Sequence, residues 1–265
     1  MIIPKQMEED LLLLRHSVFE AGKIALGYFG QSPETMTKND GSPVSEADLA
    51  VDNYLKQQLI SSRKSYGWLS EETEDNPERL NLENVWIVDP IDGTRAFIQQ
   101  KQEWTISVAL VCGAQPVLAM VYNPVTKELY EAVSGQGARL NGSIIKVSEN
   151  NELRDCALIA PGKIRSRLQE EQGLALKPPK SVNSIAYRMC LVSCGRVDGL
   201  LAKAGSCDWD IAAADLIVRE AGGYLTSFLG ERLKFNQADV RHNNVLASND
   251  NLHNKLLKMC KNVSF

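Results

Sequence analysis

The sequence predicts a mixed α+β / α/β protein, in which two helices are followed by a run of strands and then by alternating strands and helices. Three observations carry this. Residues 8–29 and 45–63 repeat their apolar side chains at spacings of three and four. From Val85 to Val147 the runs are β-rich and broken by Gly, Pro and Asn. Beyond about residue 150 strand and helix patterns alternate, as in an α/β layer. A chain of 265 residues can bury one large core or two packed subdomains. The division is expected near residue 150, with an α+β part over 1–150 and an α/β part over 151–265.

In order, the first helix shows Leu14, Val18, Ala21 and Ala25 on one face, with Gly30 beyond its end. Asn39-Asp40-Gly41-Ser42-Pro43 has the chemistry of a loop. Ser45 starts the second helix, with Ala47, Val51, Leu55 and Leu59 facing inward and Asp48 placed as in a capping box. Glu71–Leu82 is acidic, contains Pro77 and reads as an exposed loop. Strands are expected at Val85–Val88, Thr105–Val111, Val117–Tyr122 and Glu128–Val133. A further edge over Ala138–Val147 turns at Asn141-Gly142. The second half is expected to run strand Ala157–Ala160, helix Ser184–Gly195, strand Gly199–Ala202, helix Asp208–Ala221 and strand Tyr224–Phe228. Gly222-Gly223 would close the second of these helices.

Composition narrows the function classes. Net charge is −4, so no basic surplus points to nucleic acid, and anionic partners must be held by local groups or by metal. The six cysteines form no C-x-x-C pair and there are three histidines, which argues against a zinc site. Cys190 and Cys194, four apart on a helix, read as small apolar residues. Leu11–Leu14 is too short to cross a bilayer and is flanked by charges, and the N-terminus lacks a basic-then-apolar signal pattern. The expected setting is a reduced cytoplasm, without membrane contact.

The informative feature is acidic. Trp86-Ile87-Val88-Asp89-Pro90-Ile91-Asp92-Gly93-Thr94 is an apolar strand running into a tight turn. Upstream lie Ser70-Glu71-Glu72, and far downstream Trp209-Asp210 precedes Ile211-Ala212-Ala213-Ala214. Each piece has a plain explanation. D-P-x-D is often a turn, Asp210 suits the start of a helix, Asp48 suits the capping box, and Glu71-Glu72 suits a solvated loop. Together they offer oxygen ligands for Mg²⁺, which takes one or two carboxylates per ion and keeps several waters. Asp89 can bridge two ions, with Glu71 completing one site and Asp92 and Asp210 the other. Two ions about 4 Å apart would clamp a phosphate ester. Gly93 lets the backbone approach, so that the amides of Gly93 and Thr94 can donate to phosphate oxygens.

These motifs resemble the inositol monophosphatase superfamily of Mg²⁺-dependent, lithium-sensitive phosphatases, along nearly the whole chain. The resemblance rests on Lys38 with Asp40–Asp48, Ser70-Glu71-Glu72, Val88–Thr94, and Trp209–Ala213 running to Gly222-Gly223. It implies a layered αβαβα sugar-phosphatase-like fold and, commonly, a homodimer. It further implies that Glu71, Asp89 and the Ile91 carbonyl hold one metal, and that Asp89, Asp92 and Asp210 hold a second. A third, weaker ion would rest on Glu71 through water. Asp48 and Thr94 would relay a proton from the attacking water, and Lys38 would orient water near the phosphate.

The substrate pattern departs from inositol-specific members, where a glutamate stands seven residues before the aspartate that follows the tryptophan. Here that place is Lys203. Arg95 follows Thr94, where bisphosphate nucleotidases tend to carry a basic residue and histidinol-phosphate phosphatases can. Both are also explicable as solvated surface cations. The expectation is a phosphomonoesterase for a small anionic metabolite. A 3′(2′),5′-bisphosphate nucleotide is slightly favoured over an inositol monophosphate. Histidinol phosphate, or a regulatory protein that keeps the metal-binding fold and works by docking, are the alternatives. A nucleic-acid enzyme lacks the basic stripe it would need.

Overall fold

Capping and apolar spacing settle the first two helices. In the computed structural model, which describes residues 4–31, 34–37, 41, 43–154, 156–172 and 182–262, α1 spans Lys5–Tyr28. A short antiparallel ribbon of β1 (Thr35–Thr37) and β2 (Pro43–Ser45) follows. Helix α2 (Glu46–Ser62) starts at Ser45, whose amide and hydroxyl both donate to Asp48 Oδ2, at 2.8 and 2.6 Å. Leu14, Val18, Ala21 and Ala25 of α1 pack with Ala47, Val51, Leu55 and Leu59 of α2, all buried as the periodicity requires.

These helices cover one face of a seven-stranded sheet. Its strands run in chain order: β3 (Gly67–Ser70), β4 (Asn84–Asp92), β5 (Thr105–Cys112), β6 (Gln115–Asn123), β7 (Glu128–Val133), β8 (Ala138–Leu140) and β9 (Ser143–Ile145). Only the β3–β4 pair is parallel. A one-turn helix α3 (Thr94–Ile98) joins β4 to β5. The β8–β9 hairpin turns on Asn141 (φ 49°) and Gly142 (φ 82°), the double positive φ that an Asn-Gly turn accommodates.

The rest of the chain builds a second layer pair. After β10 (Leu158–Ile159) come α4 (Gly162–Gln172), α5 (Ile185–Ser193), β11 (Gly199–Ala202), α6 (Asp208–Glu220), β12 (Gly223–Ser227), β13 (Val245–Asn249) and α7 (Asp250–Asn262). The four strands stand in the order β10-β11-β13-β12, parallel only between β10 and β11. Three apolar clusters separate five layers. Trp86, Val88, Val108, Leu110, Leu118 and Met120 face α1 and α2. Val85, Ile87, Ala109, Val111, Ala119 and Val121 face α5 and α6, which also cover Leu200, Leu225 and Ala247 of the smaller sheet. That sheet's outer face, with Leu158, Leu201 and Leu246, lies under Ile164 and Leu168 of α4 and Leu252 and Leu256 of α7. The fold is therefore a layered αβαβα arrangement. The continuous apolar runs of β4 and β5 follow from burial on both faces.

Several expectations need correction. Strand β4 continues through Pro90 to Asp92, because a bulge between Asp89 and Asp92 absorbs the proline that cannot donate to the ladder. Glu71–Leu82 is not simply exposed: Pro77–Asn81 forms a 3₁₀ turn that buries Arg79. Helix α4, strand β13 and helix α7 were not evident from periodicity. Strand β13 becomes buried only by standing between two other strands. Cys190 is buried against the α5–α6 core and unpaired, as a small apolar residue. No helix among the described residues is long and apolar enough to cross a membrane.

Gly222 and Gly223 serve two different needs. Gly222 takes φ 84° just past α6. A Cβ on Gly223 would stand 2.8 Å from Val147 Cγ1, 2.9 Å from Val218 Cγ1 and 3.0 Å from Ser248 O. Gly223→Ala is accordingly expected to lower stability by about 1–3 kcal/mol, the usual cost of overpacking. Thermal or urea unfolding measures it, and an unchanged midpoint would contradict the tight packing.

Candidate active site

The end of β4 brings the acidic turn together. Ile91 N–H donates to Asp89 Oδ1 at 3.0 Å, which fixes that carboxylate against its own bulge. The chain then reverses at Gly93, φ 100°, where a Cβ would lie 3.1 Å from Glu103 O and 3.2 Å from Ser184 N. Only glycine meets both demands. Asp92 is aimed at the start of α5: Ser184 Oγ donates to it at 2.5 Å, and the amides of Ile185 and Ala186 donate at 3.1 and 2.7 Å. A helix N-terminus thus orients it.

Asp210 arrives from the first turn of α6, where Cys207 N–H donates to its Oδ2 at 2.6 Å. The capping role and the ligand role proposed for it are compatible, since a carboxylate has about four acceptor sites. One carboxylate oxygen from each of Asp89, Asp92 and Asp210 lies within 4.8 Å of the others. Glu71 stands outside this tight trio, at the end of β3, with its amide donating to Val88 O at 3.2 Å. Its charge is nonetheless the largest that acts on Asp89. Beside the trio, Thr94 Oγ1 lies 3.1 Å from both Asp48 Oδ1 and the Ile91 carbonyl oxygen. One hydroxyl proton therefore faces two acceptors.

Burial and like charge raise the proton affinity of this group. Asp89 is pushed well above the ordinary carboxylate range, first by burial and then by the charges of Glu71, Asp92, Asp210 and Asp48. Asp92 is raised to about 6, burial outweighing the hydrogen bonds from Ser184, Ala186 and Ile185. Asp48 is raised by burial against its bonds from Ser45 and Thr94. The donor set is all oxygen, from carboxylates and a carbonyl. Its crowded negative charge is what a hard divalent cation such as Mg²⁺ relieves, so the residues fit that ion.

Other positions come out differently. Lys38 lies outside the described residues. Arg95 on α3 and Lys203 between β11 and α6 are both exposed. Sequence reasoning missed the supports. Asp52, one turn beyond Asp48 on α2, accepts from Ser70 Oγ and, at 2.5 Å, from Thr73 Oγ1, clasping the Glu71 segment from both sides. Ser184 was read as a helix boundary, which was the signal available for it. Asp208 receives Asn236 N–H at 2.7 Å and lies 2.7 Å from His242 Nε2, tying a distant loop to the start of α6.

Five layers thus place, at one strand end, a carboxylate trio able to hold a divalent cation beside a threonine–aspartate pair able to pass a proton. The sequence matches the model of the inositol monophosphatase family over residues 6–264. An inositol-1-monophosphatase of Rhizobium meliloti (strain 1021) is 33% identical over 236 residues, covering 83% of this chain and 86% of the relative. A histidinol-phosphatase of Chlorobaculum parvum is 32% identical over 241 residues, 85% and 88% of the two chains. The extragenic suppressor protein suhB of Bartonella henselae superposes with a TM-score of 0.84 at 26% identity, over 96% of this chain and 98% of that one. The chain belongs to the inositol monophosphatase family and is a phosphoric monoester hydrolase. That family is metal-dependent and acts on small phosphorylated substrates.

The charge crowding has a thermodynamic consequence. An acid whose folded pKa is raised favours the folded state below its unfolded pKa and loses that contribution as pH rises through the folded value. In EDTA, melting temperature should therefore fall as pH rises from about 4.5 to about 7, since Asp92 titrates near 6 in the fold. Asp89→Asn should flatten this dependence, raise the metal-free melting temperature at neutral pH by about 2–4 °C, and abolish most stabilisation by Mg²⁺. Scanning calorimetry with and without Mg²⁺ checks all three, and a variant less stable than wild type in EDTA would refute the account.

Proposed function

We propose that this chain is a Mg²⁺-dependent, lithium-sensitive phosphomonoesterase acting on a small anionic metabolite of the inositol monophosphate class. The observation that carries this is the trio Asp89, Asp92 and Asp210 standing beside the Asp48–Thr94 pair. Glu71, Asp89 and the Ile91 carbonyl would hold one ion, and Asp89, Asp92 and Asp210 a second. Bound there, the ions supply charge neutralisation for the phosphate and activation of the attacking water. Thr94 Oγ1 takes the proton from that water while passing its own to Asp48 Oδ1, 3.1 Å away. The raised proton affinity of Asp48 suits it to receive that proton. Gly93 and Thr94 amides are the candidates for phosphate oxygens, and Lys38 for orienting water.

The substrate assignment leans on relatives. Inositol monophosphatases stand among the similar proteins, which favours a cyclic polyol phosphate. The bisphosphate nucleotide suggested by Arg95 and Lys203 gains no support from them. Histidinol phosphate is the second reading, favoured by the Chlorobaculum parvum relative. Two subdomains divided near residue 150, a homodimer and a cytoplasmic setting complete the proposal.

Phosphate release from inositol 1-phosphate, histidinol phosphate and adenosine 3′,5′-bisphosphate, with Mg²⁺ or EDTA, tests it directly. Mg²⁺-dependent turnover, fastest on the inositol ester and inhibited by millimolar-range lithium, is the expected outcome; fully folded protein without release from any ester would refute it. Asp48→Asn should lower kcat by about 10²–10⁴-fold while leaving Mg²⁺ binding near wild type. Loss of Mg²⁺ binding in calorimetry would instead make Asp48 a metal-supporting residue.

A further inference from the structure

One buried cation lies apart from the carboxylate cluster. Arg79, in the 3₁₀ turn after Glu71, is 2% exposed. Its guanidinium makes four hydrogen bonds. Nε and Nη2 donate to Asp75 Oδ1 and Oδ2 at 2.6 and 2.9 Å, a two-pronged pairing. Nη1 donates to Asn236 Oδ1 at 2.6 Å, and Nη2 to the Gln237 carbonyl at 3.1 Å. The first pair belongs to the segment that carries Glu71, the second to the loop between β12 and β13.

That second loop is itself fastened to the metal side. Asn236 N–H donates to Asp208 Oδ2, and Asp208 N–H donates to Val240 O at 2.9 Å. Asp208 opens α6, two residues before Asp210. Asn236 adopts φ 55°, a left-handed conformation that asparagine tolerates, and this lets its amide N–H and its side-chain oxygen serve two partners at once. Bonds thus run from Asp75 through Arg79 and Asn236 to Asp208, bridging the two chain segments that bring Glu71 and Asp210 to the site.

We infer that Arg79 is a positioning residue for the metal centre, setting the Glu71 segment against the start of α6 through Asn236. The inference rests on the metal reading proposed above. A buried arginine is a poor way to add stability, since desolvation offsets much of its pairing. A planar fork with fixed donor directions is a good way to hold two loops in one geometry. Asp52 holds the residues that flank Glu71, through Ser70 and Thr73, and Arg79 holds the same segment further along the chain, at Asp75.

Arg79→Lys retains the charge and removes the fork. Asn236→Gly retains the left-handed backbone and the N–H to Asp208 but removes the acceptor, so it is the gentler probe should the first variant fold poorly. Mg²⁺ affinity by calorimetry is the primary readout, with kcat at saturating Mg²⁺ beside it. Both variants should bind Mg²⁺ about 10-fold more weakly, in the range seen for supports of metal ligands, with kcat at saturating Mg²⁺ falling less than about threefold. Variants that bind Mg²⁺ as wild type does, or that lose kcat with unaltered Mg²⁺ affinity, overturn the positioning role alone. Wild-type protein that binds no Mg²⁺ overturns the metal reading and this inference with it.

Discussion

The mutual repulsion of carboxylates gathered at the end of β4 is the constraint around which this molecule is organised. Asp89 and Asp92 are buried, Asp210 reaches within 4.8 Å of both, and Glu71 and Asp48 add their charges. In a low-dielectric setting such a group binds either protons or a cation. Every neighbouring element supplies something that tolerates or directs the charge. The start of α5 faces Asp92, the start of α6 faces Asp210, and the bulge of β4 presents an amide to Asp89. Helix N-termini favour anions, so the same two helices that fill the middle layer also steady the site.

This dual use explains the layer order. Helices α5 and α6 lie between the two sheets and bury Ala212, Ala213 and Ala214 there, small residues that let both sheets approach. Their N-terminal ends then fall at the end of β4, the strand next to the edge of the large sheet, where its ladder is broken by the bulge. The outer helices do different work. Among them α2 contributes Asp48 and Asp52 from successive turns, the first meeting Thr94 and the second holding Ser70 and Thr73. One exposed-looking acidic stretch, which carries Glu71, is thereby tied to α2 on both sides of that residue.

The positions proposed from the sequence to read the substrate lie on a different part of the surface. The proposed metal ligands are buried or half-buried, whereas Arg95 and Lys203 are exposed. A reaction type can thus be shared through the family while the metabolite varies, because solvent-facing positions change without disturbing the packed layers. Discrimination of tenfold between two esters needs only about 1.4 kcal/mol of difference at the transition state.

The sequence by itself determined the first two helices, the main strands of the large sheet, helices α5 and α6, and the grouping of Asp89, Asp92 and Asp210 into one acidic cluster. These depend on local period, turn chemistry and capping, all of which act over a few residues. Asp48, Asp89, Asp92 and Asp210 were legible because their neighbours (Ser45, Pro90, Gly93, Trp209) carry strong local signals. Tertiary structure alone decided that β3 pairs parallel with β4, that β13 stands between β11 and β12, and that Arg79 is buried in a segment of loop composition. It also decided that Asp52 supports the Glu71 segment, that Ser184 points at Asp92, and that Asn236 joins Arg79 to Asp208. Each of these joins residues far apart in the chain, and a single polar side chain has no periodicity that announces its distant partner.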